Sequence, residues 1–323
     1  MTRIAVLDDW QGIARQAADW SSLQARAEVV FFADPFGDEA AAAVALGSFD
    51  IIMAMRERTA FPASLIARLP ALRLFSLTGK RGGTLDFNTF HAQGVTVTTT
   101  TGGDSGTATA ELALGLMLAA ARHLSSAEAA LRRGDFQKGT MPGFELAGRT
   151  LGLIGLGRIG GLMARYGAAL GMRVVAWSPN LTPERAAPLG AEVLPKAALL
   201  AEADVVSLHI VLSASTRGLI GAPELSQMRD GAILINTSRA GLIDQPALIA
   251  ALHQGRITAA LDVFDREPLP LDHPLMTAPN TVLTPHLGYG SRDVMREFYR
   301  QSIENVLAFL DGAPIRVMTP DAG

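Results

Sequence analysis

The chain has no cysteine among its 323 residues, which excludes disulfides and thiolate chemistry together. It also lacks an excess of positive charge. Twenty-eight Lys and Arg face 31 Asp and Glu, a net charge of −3 that argues against nucleic acid as a bulk partner. No uninterrupted apolar run is long enough to span a bilayer; residues 110–121 come closest, and Glu111 and Arg122 bracket them. The first residues, Met-Thr-Arg-Ile-Ala-Val-Leu, begin a strand rather than a signal peptide, so the expected location is cytoplasmic. There is no low-complexity tail, and no metal site is expected. What is present is 49% hydrophobic and 18% charged residues, the balance of a compact globular protein whose length suggests two domains.

Short β-like runs alternate with helical ones through residues 1 to about 100. Strands are expected at Ile4–Leu7, Val29–Phe32, Ile51–Met55, Leu74–Leu77 and Val95–Thr98, with helices such as Asp38–Leu46 and Ala63–Leu69 between them. This alternation means a parallel sheet covered by helices. Two of its turns are chemically suggestive: Met55-Arg56-Glu57-Arg58-Thr59 and Thr78-Gly79-Lys80-Arg81-Gly82-Gly83. The second is a basic, glycine-rich turn able to aim backbone N–H groups at an anion; a solvated turn explains Lys80 and Arg81 equally well. A Thr/Gly run near residue 100 marks a crossing between domains. One long helix is expected from Thr107 to Arg133, apolar on nearly all sides through Leu124 and therefore buried, either between domains or against another subunit.

A second alternating series runs from Leu146 to Gly288, and its opening stretch organises it. The strand Leu151–Ile154 breaks at Gly155-x-Gly157-x-x-Gly160, continues with helical spacing, and leads to a strand at Arg173–Trp177. Gly155 makes the tight turn, Gly157 admits a pyrophosphate close to the backbone, and Gly160 lets helix and strand pack closely. A bare GxGxxG is weak in a chain with 32 glycines, but the strand–turn–helix–strand context makes this a dinucleotide site. An acid that holds the adenosine ribose is expected about 20 residues on. Ser178 stands there instead, and no acid follows before Glu184. NAD is favoured slightly, with NADP left open. The chain's last helix, Ser291 to Leu310, returns to the first domain, giving expected domains 1–102 plus 291–323 and, inserted between them, 103–290.

Three later strand ends carry polar clusters: Thr237-Ser238-Arg239 after Ala232–Asn236, Asp265-Arg266-Glu267 after Ala259–Asp262, and Pro285-His286-Leu287-Gly288 after Val282. Taken singly, an Arg is usually a surface ion pair, an acidic stretch a solvated loop and a His a satisfied core residue. Together they suit the interconversion of a 2-hydroxy acid and a 2-keto acid. Arg239 would bind the carboxylate through two parallel hydrogen bonds. His286 would exchange a proton with the reacting oxygen, and Glu267 would fix the imidazole and favour its protonated form. Asp262 would face the carboxamide end of a nicotinamide, and His209 ends a strand near the same place.

The stretches Gly155-Leu-Gly-Arg-Ile-Gly160, Asn236-Thr-Ser-Arg-Ala-Gly241, Leu261-Asp-Val-Phe-Asp-Arg-Glu-Pro268 and Leu283-Thr-Pro-His-Leu-Gly288 resemble those of the D-isomer-specific 2-hydroxyacid dehydrogenases. The resemblance covers nearly the whole chain, with the four motifs in family order and spacing. It implies two Rossmann-like or flavodoxin-like parallel-sheet domains with a cleft between them, the inserted one binding NAD(P). It implies Arg239, Glu267 and His286 as the catalytic set, and Gly155, Gly157, Arg158, Ile159, Gly160, Ser178, His209, Thr237, Asp262 and Gly288 around the cofactor. It further implies a homodimer, and substrate held by first-domain loops, among them Arg56, Lys80, Arg81 and Gly82. Departures from the family pattern are Ser178 for the usual acid, Val211 where His-x-Pro is usual, and Gly79-Lys-Arg-Gly-Gly-Thr for a Gly-x-Gly loop. An NAD(H)-sensing corepressor-like protein on the same fold is the alternative. Formate dehydrogenase is disfavoured, because that branch is expected to carry Gln where Glu267 stands.

Overall fold

The computed structural model describes residues 1–56, 58–79, 85–101, 103 and 105–319. The chain divides into two compact units, Met1–Asp104 with Ser291–Gly323, and Ser105–Gly290. Each is an α/β unit built on a parallel sheet.

The first unit contains β1 (Thr2–Val6), β2 (Ala27–Phe31), β3 (Ile51–Ala54), β4 (Leu74–Leu77) and β5 (Thr96–Thr99), in the order β2-β1-β3-β4-β5. Its inner strands β3 and β4 are short, mostly apolar and buried throughout, because both of their faces are covered. Ala5, Leu7, Ile52, Ala54, Phe75 and Leu77 pack on one side beneath the helices Glu39–Leu46 and Phe87–Ala92. The helix Arg292–Leu310 closes the sheet's other side. Its Asn305 donates from Nδ2 to the Thr99 carbonyl at 3.0 Å, and Tyr299 packs on Trp20 with ring centroids 5.7 Å apart.

The second unit contains β6 (Thr150–Ile154), β7 (Arg173–Trp177), β8 (Glu192–Val193), β9 (Val205–Leu208), β10 (Ala232–Asn236), β11 (Ile257–Leu261) and β12 (Thr281–Leu283). Their order is β12-β11-β10-β9-β6-β7-β8, so the direction of winding reverses between β6 and β9. Alternate residues feed two cores. Leu151, Leu153, Val174, Val205, Ile233 and Ile235 face the helices Ser105–Ala121 and Arg158–Ala169, while Val175, Val206, Leu208 and Leu234 face the layer of Leu199, Leu225 and Leu248. Close approach is built in at Gly152, where a Cβ would lie 2.6 Å from Leu199 Cδ2.

The single helix expected over 107–133 is two helices, Ser105–Ala121 and Leu124–Arg132, broken at His123 in the left-handed region at φ 52°. Within the single chain the segment has an inner and an outer side. Ala110, Ala113, Met117 and Ala121 are inside, but Leu118 and Leu124 are exposed. The break falls at Arg122-His123 with no glycine or proline to mark it, so the apolar pattern reads straight through. Among the described residues no helix is long and apolar enough to cross a membrane, and no cluster of His, Asp and Glu could hold a metal ion.

Candidate active site

In an open parallel sheet a ligand binds beyond the carboxyl ends of the strands where the winding reverses. Here that point lies between β6 and β9, and the glycine turn leaves β6 at that place. Gly155 has φ +99°, and a Cβ on it would lie 2.6 Å from the His209 carbonyl carbon and oxygen after β9. A Cβ on Gly160 would strike the Gly155 carbonyl oxygen at 2.1 Å. Both glycines are therefore demanded by packing. Gly157 is different. It is the extended N-cap of the helix Arg158–Ala169, and nothing lies within 4 Å of where its Cβ would stand. The turn is tight behind and open in front, with first-turn N–H groups available to an anion.

β10, β11 and β12 deliver the polar clusters, held in step by parallel pairing of Asn236 with Leu261 and Leu261 with Leu283. At the end of β10 the buried Asn236 ties the turn: its Oδ1 accepts from Ser238 N at 3.0 Å and its Nδ2 donates to the Arg239 carbonyl at 2.9 Å. Ser238 Oγ donates to the Ile210 carbonyl beyond β9 at 2.8 Å, and Arg239 Nη1 donates to the Ser238 carbonyl at 2.7 Å. Arg239 is half-buried on this brace.

Asp262 follows β11 and is fully buried. Its Oδ1 accepts from Thr284 Oγ1 at 2.6 Å and Leu287 N at 2.7 Å, and its Oδ2 accepts from Gly288 N at 2.8 Å. Burial raises its pKa while these three bonds oppose the rise. The carboxylate thus shapes the turn after β12, where His286 sits at φ 54°. Within that turn His286 Nδ1 and Glu267 Oε2 lie 2.6 Å apart, both side chains mostly shielded from solvent. The other Glu267 oxygen accepts from Phe264 N at 2.9 Å. A carboxylate only accepts, so Nδ1 carries a proton and donates it to Glu267, leaving Nε2 as the atom that can exchange one. The Tyr289 ring stands edge-on to the imidazole at 5.9 Å.

The structure thus brings Glu267 and His286 together and puts Arg239 at the neighbouring strand end. Arg158 opens the glycine-turn helix and lies against the helix 105–121, since a Cβ on Gly106 would fall 2.9 Å from its Nε. Ile159 is half-buried against the same core. Ser178 is the first residue past β7 and half-buried. His209 Nε2 is 2.8 Å from Ser207 Oγ, and desolvation pushes its pKa down to about 4. Thr237 is buried after β10, and its Oγ1 has no partner among the described residues. An orphaned hydroxyl past β10 and a glycine turn open at Gly157, both at the carboxyl edge of the same sheet, fit a bound dinucleotide. Arg56 lies in the first unit, its N donating to Thr78 Oγ1 at 3.1 Å. Lys80, Arg81 and Gly82 lie outside the described residues. Asn236 and Thr284 were missed in the residue pattern; an Asn or Thr at a strand end looks like any turn residue until its partners are seen.

A model of the D-isomer specific 2-hydroxyacid dehydrogenase NAD binding domain matches residues 114–288, more than half of the chain. The chain belongs to the D-isomer specific 2-hydroxyacid dehydrogenase family, and the cofactor of its second unit is NAD. It is similar to a glyoxylate reductase of Aeropyrum pernix, 39% identical over 256 residues, covering 77% of this chain and 76% of that protein. It is 35% identical to a D-3-phosphoglycerate dehydrogenase of Archaeoglobus fulgidus over 81% of this chain and 50% of that one. The chain spans about half the length of the curated phosphoglycerate dehydrogenases it matches. A crystal structure of a phosphoglycerate oxidoreductase from Vibrio cholerae superposes with a TM-score of 0.92 at 36% identity, covering 97% of this chain and all of that one.

Proposed function

We propose that the protein is an NAD-dependent oxidoreductase interconverting a D-2-hydroxy acid and its 2-keto acid. The observation that carries this reading is the 2.6 Å His286–Glu267 pair held at the end of β12, with an arginine presented from β10. The nicotinamide ring supplies the hydride in reduction and accepts it in oxidation. His286 Nε2 gives its proton to the carbonyl oxygen of the keto acid as C2 is reduced, and takes it back in the reverse direction. Glu267 keeps the ring oriented and steadies the positive charge that the imidazole gains when both nitrogens carry protons. Arg239 binds the substrate carboxylate by two parallel hydrogen bonds and polarises the adjacent carbonyl. Asp262 acts by fixing the turn that carries His286.

Arg56 of the first unit, with Lys80, Arg81 and Gly82 of the basic turn, would hold the rest of the substrate; two cations there suit a second anionic group. Leu118, Leu124, Leu131, Phe136 and Met141 are exposed along one stretch of the second unit, which supports pairing of two copies through that unit. The test is a panel of glyoxylate, hydroxypyruvate, phenylpyruvate and 2-ketobutyrate followed at the nicotinamide absorbance. NADH and NADPH are run side by side, because Ser178 leaves no carboxylate to repel a 2′-phosphate. At least one acid is expected to be reduced; an enzyme inert toward all of them with both cofactors would refute the reading.

A further inference from the structure

Directly after β1 the chain does something costly. Asp8 takes φ +63°, a left-handed backbone rarely adopted by residues with a side chain, and is only 7% exposed. Burial pushes its carboxyl up to about 6, against hydrogen bonds and the Arg58 charge, which pull the other way. An apolar residue would avoid the burial penalty, so the carboxylate must be held there by what it binds.

What it binds is the arginine-bearing turn after β3. Asp8 Oδ1 accepts from Thr59 Oγ1 at 2.6 Å, and Oδ2 accepts from Met55 N at 3.2 Å, so one carboxylate grips both ends of the turn. The Arg56 stem lies over Gly79, where a Cβ would come within 2.7 Å of its Cδ. Arg58 stacks its guanidinium 4.8 Å from the Trp10 ring centroid. The next residue, Asp9, is spent differently: its Oδ1 accepts from Ile13 N and Ala14 N and shapes its own loop. Among the described residues, Asp8 of these two adjacent acids is the one that reaches across to the neighbouring strand's turn.

We propose that Asp8 is a positioning residue for keto-acid binding, acting through Arg56 by fixing the turn that presents it, without touching the substrate. The proposal rests on the function proposed above, and on Arg56 as one of the residues that hold substrate. A merely structural Asp8 would lower stability without any special link to Arg56. A positioning Asp8 loses its effect once Arg56 is gone, since there is then nothing left to present.

The experiment measures KM for the best keto acid, kcat, NADH affinity by fluorescence and melting temperature in the intact protein. The variants are Asp8→Asn, Thr59→Val and Arg56→Ala, with Asp8→Asn and Thr59→Val each combined with Arg56→Ala. Asp8→Asn should raise KM roughly tenfold, with kcat within about threefold of the parent and NADH affinity unchanged. Thr59→Val, which deletes the Thr59 hydroxyl's hydrogen bond to Asp8 and keeps the shape, should raise KM about threefold and stands in if Asp8→Asn folds poorly. In the Arg56→Ala background each should change KM by less than about twofold. Unchanged KM in both single variants, or the same factor with and without Arg56, would overturn the proposal alone. A parent that reduces no keto acid would overturn it together with the function on which it rests.

Discussion

The two sheets end differently at their carboxyl edges, and the contrast separates a braced frame from an edge left partly open. Side chains lace the first edge together across neighbouring strands. Asp8 after β1 holds the turn after β3, Thr78 after β4 accepts from Arg56, and Thr100 after β5 accepts from Gly79 N at 2.9 Å. The second edge is laced from β9 through β10, β11 and β12. At the winding reversal it is made of glycine backbone, open at Gly157. A laced edge presents arginines on a fixed frame; an edge of bare backbone leaves N–H groups for a ligand's phosphates. The titratable pair His286–Glu267 belongs to the second edge.

The largest effect should come from breaking the second edge at its chemistry. His286→Ala is expected to lower kcat by roughly 10²–10⁴-fold while NADH affinity stays within about twofold, measured by steady-state rates and fluorescence titration. Turnover at the parent rate would mean the pair is not where the proton moves. The two edges should also answer a methyl group differently. Gly160→Ala pushes a Cβ into the Gly155 carbonyl oxygen, a backbone clash, and should cost about 2–3 kcal/mol and at least tenfold in NADH affinity. Gly79→Ala meets the flexible Arg56 side chain rather than backbone, so its main cost is the left-handed backbone, about 1 kcal/mol. Equal losses in a denaturation series would blur the distinction drawn here.

The smallest and sharpest comparison is with pH. Asp8 is shifted up to about 6, so between about 4 and 6 the folded first unit binds a proton that the unfolded chain releases, and stability rises as pH falls. His209 is shifted down to about 4, so between about 4 and 6.5 the unfolded chain binds a proton that the folded second unit excludes, and stability falls as pH falls. Going from pH 7 to 5, each contribution is on the order of 1–2 kcal/mol, with opposite sign. Hydrogen exchange corrected for intrinsic rate, read on peptides from β3 and β4 and from β6 and β9, should show both. Asp8→Asn should abolish the first and His209→Asn the second. The variants matter because Asp262, also shifted upward, works with Asp8's sign inside the second unit. If either variant keeps the parent's pH slope, that group is not its source.

Much of this architecture is legible in the residues. β4, β7, β9 and β10 fall where their short, mostly apolar runs lie, because a parallel strand covered on both faces is dominated by apolar residues. The glycine turn and the motif carrying His286 are likewise visible, since few residue types satisfy their backbone and their chemistry. β8 was not seen: two residues, Glu192 and Val193, paired only to Val175 and Ala176, carry no pattern of their own. The braces of the site were not seen either. Asp8 meets Thr59 across 51 positions and Asp262 meets Thr284 across 22, so each looks like a polar turn residue until the strands align. The functional side chains can be read locally, whereas their supports are long-range.

The insertion of the second unit into the first has a consequence for synthesis on the ribosome. β1 to β5 emerge early, yet the helix Arg292–Leu310 that covers one side of their sheet is translated only after the chain passes from Asp104 to Ser291. At about 5–20 residues per second the nascent first sheet waits about 10–40 s with the faces of β4 and β5 that this helix packs on lacking their cover. The inserted unit, contiguous in sequence, has everything it needs before its host does. Chaperone dependence during translation should therefore track the first sheet, and the lag before the host closes should lengthen when elongation is slowed.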